Sequence, residues 1–432
     1  RFKNERFRQF IQSVAVSMLV VDEAHCISEW GHNFRPDYLK LPSYSQALNI
    51  PLTLLLTATA TKKVKLDMAE KFAINEHHIV QTGFYRSNLD LAVVPVASVD
   101  KNAYLVGQIK QQAGSGIVYV TLQHSAEQVA AYLQSAGINA CAYHAGFDSD
   151  RRSQIQNDFM AGNIQVIVAT IAFGMGIDKP DVRFVAHLNL PKSVEAYYQE
   201  TGRAGRDGEP AHAWMAYGLQ DVITLRQFTQ DSNADQQHKQ VEHHKLEAML
   251  GLCEVSTCRR QTLLAYFDET LAQPCGQCDN CQTPPERWDG TESAQKALSC
   301  IYRTEQRFGV NYIIDILLGK SDERIQRNGH DQISTFGIGT EFSAVEWRSV
   351  FRQLIALSYI NIDMERHGAL VLTEQCRSLL RGEHKLQLRK QVKQEAPTSA
   401  KKKKSMVRPQ DEALWQALRS LRTELATELG VP

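Results

Sequence analysis

The chain has 432 residues, of which 43% are hydrophobic and 22% are charged, as in ordinary globular proteins. This length predicts about three domains, and the composition excludes a disordered or a fibrous protein. The 48 basic and 48 acidic residues cancel, so the net charge does not indicate a nucleic-acid partner. No apolar run reaches the ~18 residues that a membrane span needs, and the charged start does not resemble a signal peptide. We therefore expect a cytoplasmic protein that has no membrane partner.

Short apolar runs alternate with helical patterns as far as residue 217. The predicted strands are 14–21, 52–56, 117–121, 140–143, 166–170, 184–188 and 213–217. Uninterrupted apolar strands that alternate with helices indicate parallel sheets covered on both faces. The polar residues 97–116 separate two such units, so the fold class is α/β, with domains at 1–96 and 97–219.

The rest of the chain is mainly helical. Residues 220–286 contain helices and a cysteine-rich loop that Pro284 and Pro285 close. Within 287–382, short helices precede two alternating stretches around a polar turn, which predicts a β-hairpin and hence a winged helix. We expect 383–410 to be a basic linker and 411–432 to be an amphipathic helix too short to form a domain.

Two carboxylates follow the first predicted strand, in the sequence Leu19-Val-Val-Asp-Glu-Ala-His25. Parallel sheets bind ligands at the carboxyl ends of their strands. There Asp22 can hold Mg²⁺, and Glu23 can orient and deprotonate a water molecule. The alternative is a strand end with two solvated acids, although the full tetrapeptide after an apolar strand favours the catalytic interpretation.

Two further motifs carry polar groups that suit a nucleotide site. Residues 57–61, Thr-Ala-Thr-Ala-Thr, follow the second predicted strand and can link neighbouring domains by hydrogen bonds, although such residues also cap helices. In residues 197–208, Arg203 and Arg206 lie three apart among glycines that permit close backbone approach. Such arginines can contact a γ-phosphate, and the alternative is an arginine-rich surface helix.

Five of the nine cysteines lie between residues 253 and 281. The series Cys275, Cys278 and Cys281, with Cys258 or Cys253 upstream, supplies four thiolates that suit tetrahedral Zn²⁺. An iron–sulfur cluster is less favoured because the ferredoxin spacing would put its next cysteine where Pro285 stands. Unliganded thiols are the third alternative.

Residues 22–38, 169–183 and 199–208 together resemble the RecQ family of superfamily 2 DNA helicases, in particular its bacterial members. The similarity extends from Val14 to about Leu380. It implies two RecA-like domains that close on ATP and Mg²⁺, the first of them incomplete here, then a zinc-binding subdomain and a winged helix. It also implies 3′–5′ unwinding of DNA in repair, recombination, replication and the SOS response. A nucleoid-associated location is expected with it.

The resemblance also assigns roles to individual residues. It makes Asp22 the Mg²⁺ ligand, Glu23 the catalytic base, and Arg203 and Arg206 the γ-phosphate contacts. It selects Cys258 rather than Cys253 as the fourth zinc ligand. The other residues that it places at the ATP are His25, Gln199, Gly176 and Asp178.

DNA contacts are expected in two places. Trp30, Phe34 and Arg35 match the aromatic-rich loop of the family, which binds single-stranded DNA, and aromatic faces do stack on bases. The alternative for the two aromatic residues is core packing. In the winged helix, Arg324, Arg327 and His330 could hold phosphates of forked duplex DNA, and the turn at His367 could act as a wedge. A solvated surface is the alternative for each of these four. A single-stranded-DNA-binding protein is a further expected partner.

The chain departs from the family in one important respect. No G-x-x-x-x-G-K-[ST] sequence occurs in the 432 residues, and family helicases carry one upstream of the Asp-Glu-Ala-His box. We therefore expect a fragment of a helicase that cannot hydrolyse ATP well by itself, and 411–432 resembles only the first helix of an HRDC domain. The alternative function is a non-hydrolysing DNA-binding protein that uses the zinc and winged-helix units.

Overall fold

The computed structural model describes residues 4–28, 31, 35–96, 100–174, 177–232, 236–363, 366, 368–390 and 420. The chain divides into two compact units, Arg1–Lys390 and Gln391–Pro432. All helices and strands given below belong to the first unit. The predicted helix in 411–432, apart from Ser420, lies outside the described residues. Within the described part of the chain, no helix is both long and apolar enough to cross a membrane.

The chain begins with a small α/β unit. Its elements are α1 (Glu5–Gln12), β1 (Leu19–Val21), α2 (Leu41–Ala47), β2 (Thr53–Leu55) and α3 (Lys62–Lys71). The two strands pair in parallel, with Val20 opposite Leu54. One face of this pair packs on a buried apolar cluster, whereas Val20 and Leu54 on the other face are 50% and 43% exposed. The first strand is shorter than predicted because β2 offers partners to only three residues and starts after Pro51, which has no N–H to donate.

A six-stranded sheet follows, and the prediction of a parallel sheet is confirmed. Its elements are β3 (Leu89–Pro95), α4 (Lys101–Ile109), β4 (Ser115–Tyr119), α5 (Gln123–Ser135), β5 (Ala140–Tyr143), α6 (Ser149–Met160), β6 (Val166–Ala169), β7 (Val182–His187), α7 (Val194–Thr201) and β8 (Ala211–Tyr217). The strand order is β3-β8-β7-β4-β6-β5, and every pair is parallel. Apolar clusters lie on both faces of the sheet, as the uninterrupted apolar strands require.

Strand β3 was not predicted, and it changes a domain boundary. Its apolar residues alternate with partly exposed ones because it is an edge strand, paired on one side with β8. The charged Asp90 and the terminal Pro95 weaken its signal in the sequence. The second sheet therefore begins before residue 97, where the sequence placed the boundary.

Four helices follow the six-stranded sheet and form a helical unit that connects it to residues 287–390. Its helices are α8 (Leu219–Asp231), α9 (Gln236–Glu254), α10 (Arg259–Tyr266) and α11 (Asp279–Gln282). The following elements are β9 (Arg287–Asp289), α12 (Thr291–Arg303), α13 (Val310–Leu317), α14 (Glu323–Arg327), α15 (Ala344–Ala356), β10 (Ile360–Asp363), β11 (Ala369–Leu372), α16 (Cys376–Leu380) and β12 (Gln387–Arg389). Strands β10 and β11 form the predicted antiparallel hairpin.

The last strand corrects the predicted start of the basic linker at residue 383. Strand β12 pairs antiparallel with β9, and Leu388 is fully buried. A Cβ atom added to Gly290 would lie 2.4 Å from Leu388 Cδ1, so the strand packs closely on the turn before α12. Only two buried leucines, Leu386 and Leu388, stand in this charged stretch, and so short a pattern gives little periodicity, which explains why the sequence did not reveal this strand.

Two sets of polar contacts tie residues 287–390, which include the predicted winged helix, to the elements before them. At the end of α9, the Glu254 carboxylate accepts hydrogen bonds from the Tyr217 hydroxyl and from Arg352 Nε of α15. On the other side, Arg226 Nη1 of α8 donates to Asn361 Oδ1 of β10 at 2.6 Å. Helix α15 and the hairpin are thus anchored to two different helices of the unit before them.

Candidate active site and metal centre

The two predicted acids lie at the carboxyl end of β1. Asp22 is exposed, and its Oδ1 accepts a hydrogen bond from the Glu23 backbone N–H at 2.8 Å. Glu23 is partly buried and has φ 49°, in the left-handed region where a residue with a Cβ is strained by about 1–2 kcal/mol. Burial and the neighbouring Asp22 charge raise the pKa of Glu23, against the opposing charges of Arg203 and Arg35. A raised pKa makes this carboxylate a stronger base.

His25 connects the first motif with the second. Its Nδ1 lies 2.9 Å from Thr57 Oγ1 and 3.3 Å from Glu23 Oε2, and the residue is 1% exposed. Burial lowers the pKa of His25 to about 4, and the positive charges of Arg35 and Lys245 act in the same direction. The imidazole is therefore neutral at pH 7, and it holds the Glu23 carboxylate next to the 57–61 segment. This contact lies within the first α/β unit, so the predicted link from residues 57–61 to a neighbouring domain stays a prediction, and Thr57 was not among the residues assigned to the site.

A residue of the second sheet reaches the same carboxylate. Gln199 Nε2 of α7 donates to Glu23 Oε1 at 3.1 Å. Helix α7 is fixed by its N-cap Ser193, which accepts from the Ala196 N–H. It is also fixed by Glu200, whose carboxylate lies 2.7 Å from His187 Nε2 of β7. These contacts orient α7 so that Gln199 points across to the first α/β unit.

Both predicted arginines line the same cleft of about 1690 Å³ as Glu23. Arg203 is 8% exposed and donates from Nη1 to the Gly174 carbonyl. Arg206 is more open and donates to Asp178 Oδ1 at 2.8 Å and to the Ile177 carbonyl at 3.0 Å. Asp178, predicted as a nucleotide contact, is therefore the ion-pair partner of Arg206 in this structure. Gly176 lies outside the described residues.

Sequence reasoning missed the residue that supports the arginine-bearing loop. Arg86 donates to three carbonyl oxygens of this loop, those of Gly202, Ala204 and Gly205. Asn88 also donates to the Gly205 carbonyl, at 2.8 Å. Arg86 stands in no recognisable motif, and only the three-dimensional approach of two distant segments reveals what it does.

The four cysteines selected from the sequence come together. The Sγ atoms of Cys258, Cys275, Cys278 and Cys281 all lie within 4.8 Å of one another. Thiolates at ~2.3 Å from a tetrahedral zinc ion are ~3.8 Å apart, so this grouping fits Zn²⁺ after small shifts. Cys253 lies elsewhere, with its Sγ 4.0 Å from Met215 Sδ.

Hydrogen bonds and an ion pair hold the cysteine loops in place. The backbone N–H groups of Cys275 and Cys278 donate to the sulfurs of Cys258 and Cys275, each at 3.3 Å. Arg259, which is 1% exposed, pairs with Asp279 at 2.6 Å, and the other oxygen of Asp279 accepts from the Val93 N–H of β3. The cluster is thus attached to the edge strand of the large sheet. Neither Arg259 nor Asp279 was expected to have this role.

The residues predicted to contact DNA have different surroundings in the structure. Arg35 is exposed, and its guanidinium carbon lies 6.0 Å from the Tyr38 ring centroid. Arg324 is exposed but lies over the aromatic rings of Phe308 and Tyr312, at 5.4 and 5.0 Å. Three other residues that were predicted to bind DNA lie outside the described residues: Trp30, Phe34 and His367.

Two neighbours of Arg324 behave differently from each other. Arg327 is exposed on α14, as a phosphate contact requires. His330 is 9% exposed, and its Nδ1 lies 2.7 Å from the Tyr312 hydroxyl. The expectation that His330 faces duplex phosphates is therefore wrong, because the ring is used inside the fold.

Three family models match the chain. Residues 100–208 match the helicase conserved C-terminal domain, 219–282 the RecQ zinc-binding domain, and 284–397 the RQC domain. The fold is accordingly a parallel RecA-like sheet followed by zinc-binding and winged-helix domains.

Several curated proteins are similar over nearly the whole chain. The ATP-dependent DNA helicase RecQ of Pasteurella multocida is 39% identical over 431 residues, which cover 99% of this chain and 67% of that protein. The RecQ helicase of Haemophilus influenzae is 38% identical over 99% of this chain and 69% of its own length. The RecQ helicase of Bacillus subtilis is 34% identical over 100% of this chain and 71% of its own length. With this identity and coverage, the chain belongs to the RecQ family of ATP-dependent DNA helicases.

Proposed function

We propose that this chain provides most of the machinery of an enzyme that couples ATP hydrolysis to 3′–5′ unwinding of DNA. The contact between Gln199 and Glu23 is the observation that carries the proposal. It brings an acid of the first α/β unit together with a helix of the second, next to Arg203 and Arg206. An arrangement of this kind makes hydrolysis sensitive to the relative position of the two units, which is what a motor requires.

The residues predicted at the nucleotide have separate proposed roles. When bound, ATP and Mg²⁺ supply the γ-phosphoryl group and the cation that neutralises developing negative charge. Asp22 would hold the cation, and Glu23 would take the proton of the attacking water. His25 and Gln199 orient the Glu23 carboxylate. Arg203 and Arg206 would exchange their present contacts with Gly174 and Asp178 for the γ-phosphate oxygens.

The metal centre has a structural role in this proposal. Zinc would be held by Cys258, Cys275, Cys278 and Cys281, and it would join α10 to the loop before α11. Because Asp279, the first residue of α11, also binds β3, the ion would fix the helical unit against the large sheet.

The proposed DNA contacts lie in two parts of the chain. Arg35, with Trp30 and Phe34, would bind single-stranded DNA, and Arg327, Arg324 and the turn at His367 would meet the duplex at the fork. Roles in DNA repair, recombination and replication, a single-stranded-DNA-binding protein as partner, and a location at the nucleoid are inferred from the family alone.

Replacement of Glu23 by Gln tests the catalytic assignment. In a protein that joins these 432 residues to a phosphate-binding loop, Glu23→Gln should lower the ATPase rate by about 10²–10⁴-fold because the general base is lost. DNA affinity, measured by fluorescence anisotropy, should stay unchanged. The control is Glu76→Gln, which neutralises an exposed acid outside the cleft. ATP hydrolysis that survives in Glu23→Gln would remove the proposed base.

One observation favours a second candidate function. The 432 residues contain no G-x-x-x-x-G-K-[ST] sequence, so the β- and γ-phosphates have no backbone cradle within this chain. A chain of these residues alone would then be a zinc-containing DNA-binding protein that does not turn over ATP. Measuring DNA binding and ATP hydrolysis on the same 432-residue preparation separates the two functions.

A further inference from the structure

A cavity of about 500 Å³ is lined by residues of α8, α9 and strand β10, and it shares no lining residue with the cleft that contains Glu23. Four basic side chains line it, and no acidic residue does so within the described part of the chain. The basic residues are Arg226, Lys239, His243 and His244. The remaining lining is polar or apolar, with glutamines from both helices and Ile362 of the hairpin.

Arg226 is the buried member of this set. It is 5% exposed, and its Nη1 donates to Asn361 Oδ1 at 2.6 Å and to the Ile362 carbonyl at 3.4 Å. Its Nε has no hydrogen-bond partner among the described residues. The guanidinium therefore contacts two neutral oxygens and keeps unused donor capacity.

No carboxylate within the described ranges forms an ion pair with this guanidinium. Glu247 acts on Arg226 only from a distance, and its own carboxylate lies 3.1 Å from His243 Nε2. Burial lowers the pKa of Arg226 to about 10, and the charge of Glu247 only partly opposes that effect. A buried cation without a counter-ion is costly, and an anion in the cavity would remove that cost.

We propose that this cavity binds a phosphate group, held by Arg226 at its base and by Lys239 at its rim. Guanidinium groups bind phosphate oxygens through several directed hydrogen bonds, and Arg226 directs only Nη1 to oxygens of the hairpin. Lys239 Nζ spends one donor on the Gln230 carbonyl, at 2.7 Å, and two remain. The exposed His244 adds a further polar group to the same cavity.

The phosphate has two sources that share this chemistry, the DNA backbone and free phosphate. Because the cavity adjoins β10, a DNA phosphate bound there would lie beside the hairpin. This DNA source rests on the proposed function, whereas binding of free phosphate does not.

The first experiment uses inorganic phosphate and the full 432-residue chain. Binding is followed by ³¹P NMR line broadening at constant ionic strength. We expect Arg226→Gln to weaken binding at least tenfold and Lys239→Gln to weaken it by a smaller factor. Asn361→Ala removes the hairpin contact but keeps the guanidinium, so it should bind normally. Lys385→Gln, which removes an 82% exposed charge elsewhere, should also bind normally.

The second experiment identifies the source. Affinity for a forked duplex is measured between low and moderate salt. Loss of one phosphate contact should reduce the slope of log Kd against log salt by about one in Arg226→Gln but not in Asn361→Ala. An unchanged slope together with bound inorganic phosphate assigns the cavity to free phosphate.

Neither result depends on helicase activity. If the chain fails to bind DNA, the proposed function fails, and the phosphate measurement still decides this proposal. Wild-type chain that does not broaden the phosphate signal, combined with unchanged salt slopes in the variants, would overturn it. The melting temperature of each free variant is measured first, and Lys239→Gln carries the test if Arg226→Gln does not fold.

Discussion

Helix α15 is fastened to the helical unit by the buried pair of Glu254 and Arg352. The two side chains are 6% and 8% exposed, and the Arg352 guanidinium carbon lies 5.5 Å from the centroid of the Tyr217 ring. Replacing Arg352 by Met leaves the carboxylate buried with only the Tyr217 hydroxyl as a partner. Breaking a buried ion pair in this way costs about 3–5 kcal/mol. The double variant Glu254→Gln/Arg352→Met buries no unpaired charge, so it should recover most of that loss.

Hydrogen exchange of the α15 amides, followed by mass spectrometry, reports the local free energy of opening. Arg352→Met should lower that free energy by about 3 kcal/mol or more, and the double variant should lie within about 1–2 kcal/mol of wild type. The matched control is Lys390→Met, which breaks an exposed pair with Glu286 (59% and 70% exposed). That change should cost less than about 1 kcal/mol. Equal exchange in wild type and Arg352→Met would refute the reasoning, as would a double variant no better than the single one.

Two further predictions concern the metal centre and His25. Metal analysis should find one zinc per chain, which Cys258→Ala loses and Cys253→Ala retains; the opposite result would reassign the fourth ligand. His25 is held neutral, so its contribution to stability is complete above pH ~6.5 and is lost as the pH falls towards 4, about 2 kcal/mol by pH 5. The His25 ring resonance of the histidine-labelled wild-type chain is identified by its absence from the NMR spectrum of His25→Gln. It should titrate near pH 4 in the wild-type chain, and titration near 6.5 would contradict the buried neutral ring.

Local sequence was sufficient where the chemistry sits in one short segment. The acids after β1, the arginines after α7 and the three closely spaced cysteines are each contiguous motifs. The structure brings Glu23, Arg203 and Arg206 to one cleft and the cysteines to one cluster. Cys258 is 17 residues upstream of Cys275, and the family resemblance was needed to choose it over Cys253.

Contacts between residues far apart in the chain could not be predicted from the sequence. Arg86 supports the arginine-bearing loop from more than 100 positions away, and Arg226 meets Asn361 across a similar separation. Single arginines in helices or loops are usually solvated, so nothing in the sequence distinguishes these two. The edge strands β3 and β12 were missed because an edge strand needs only one apolar face and β12 has a single buried leucine.

The uncovered face of the β1–β2 pair affects how this chain behaves in solution. Val20, Leu52, Leu54 and Leu56 are each between 43% and 56% exposed on a short parallel sheet. Exposed apolar surface on a sheet promotes association between copies of a chain. Salts that strengthen apolar burial, such as sulfate, should therefore promote aggregation of the purified chain. Dilute preparations at moderate ionic strength should remain monodisperse for longer.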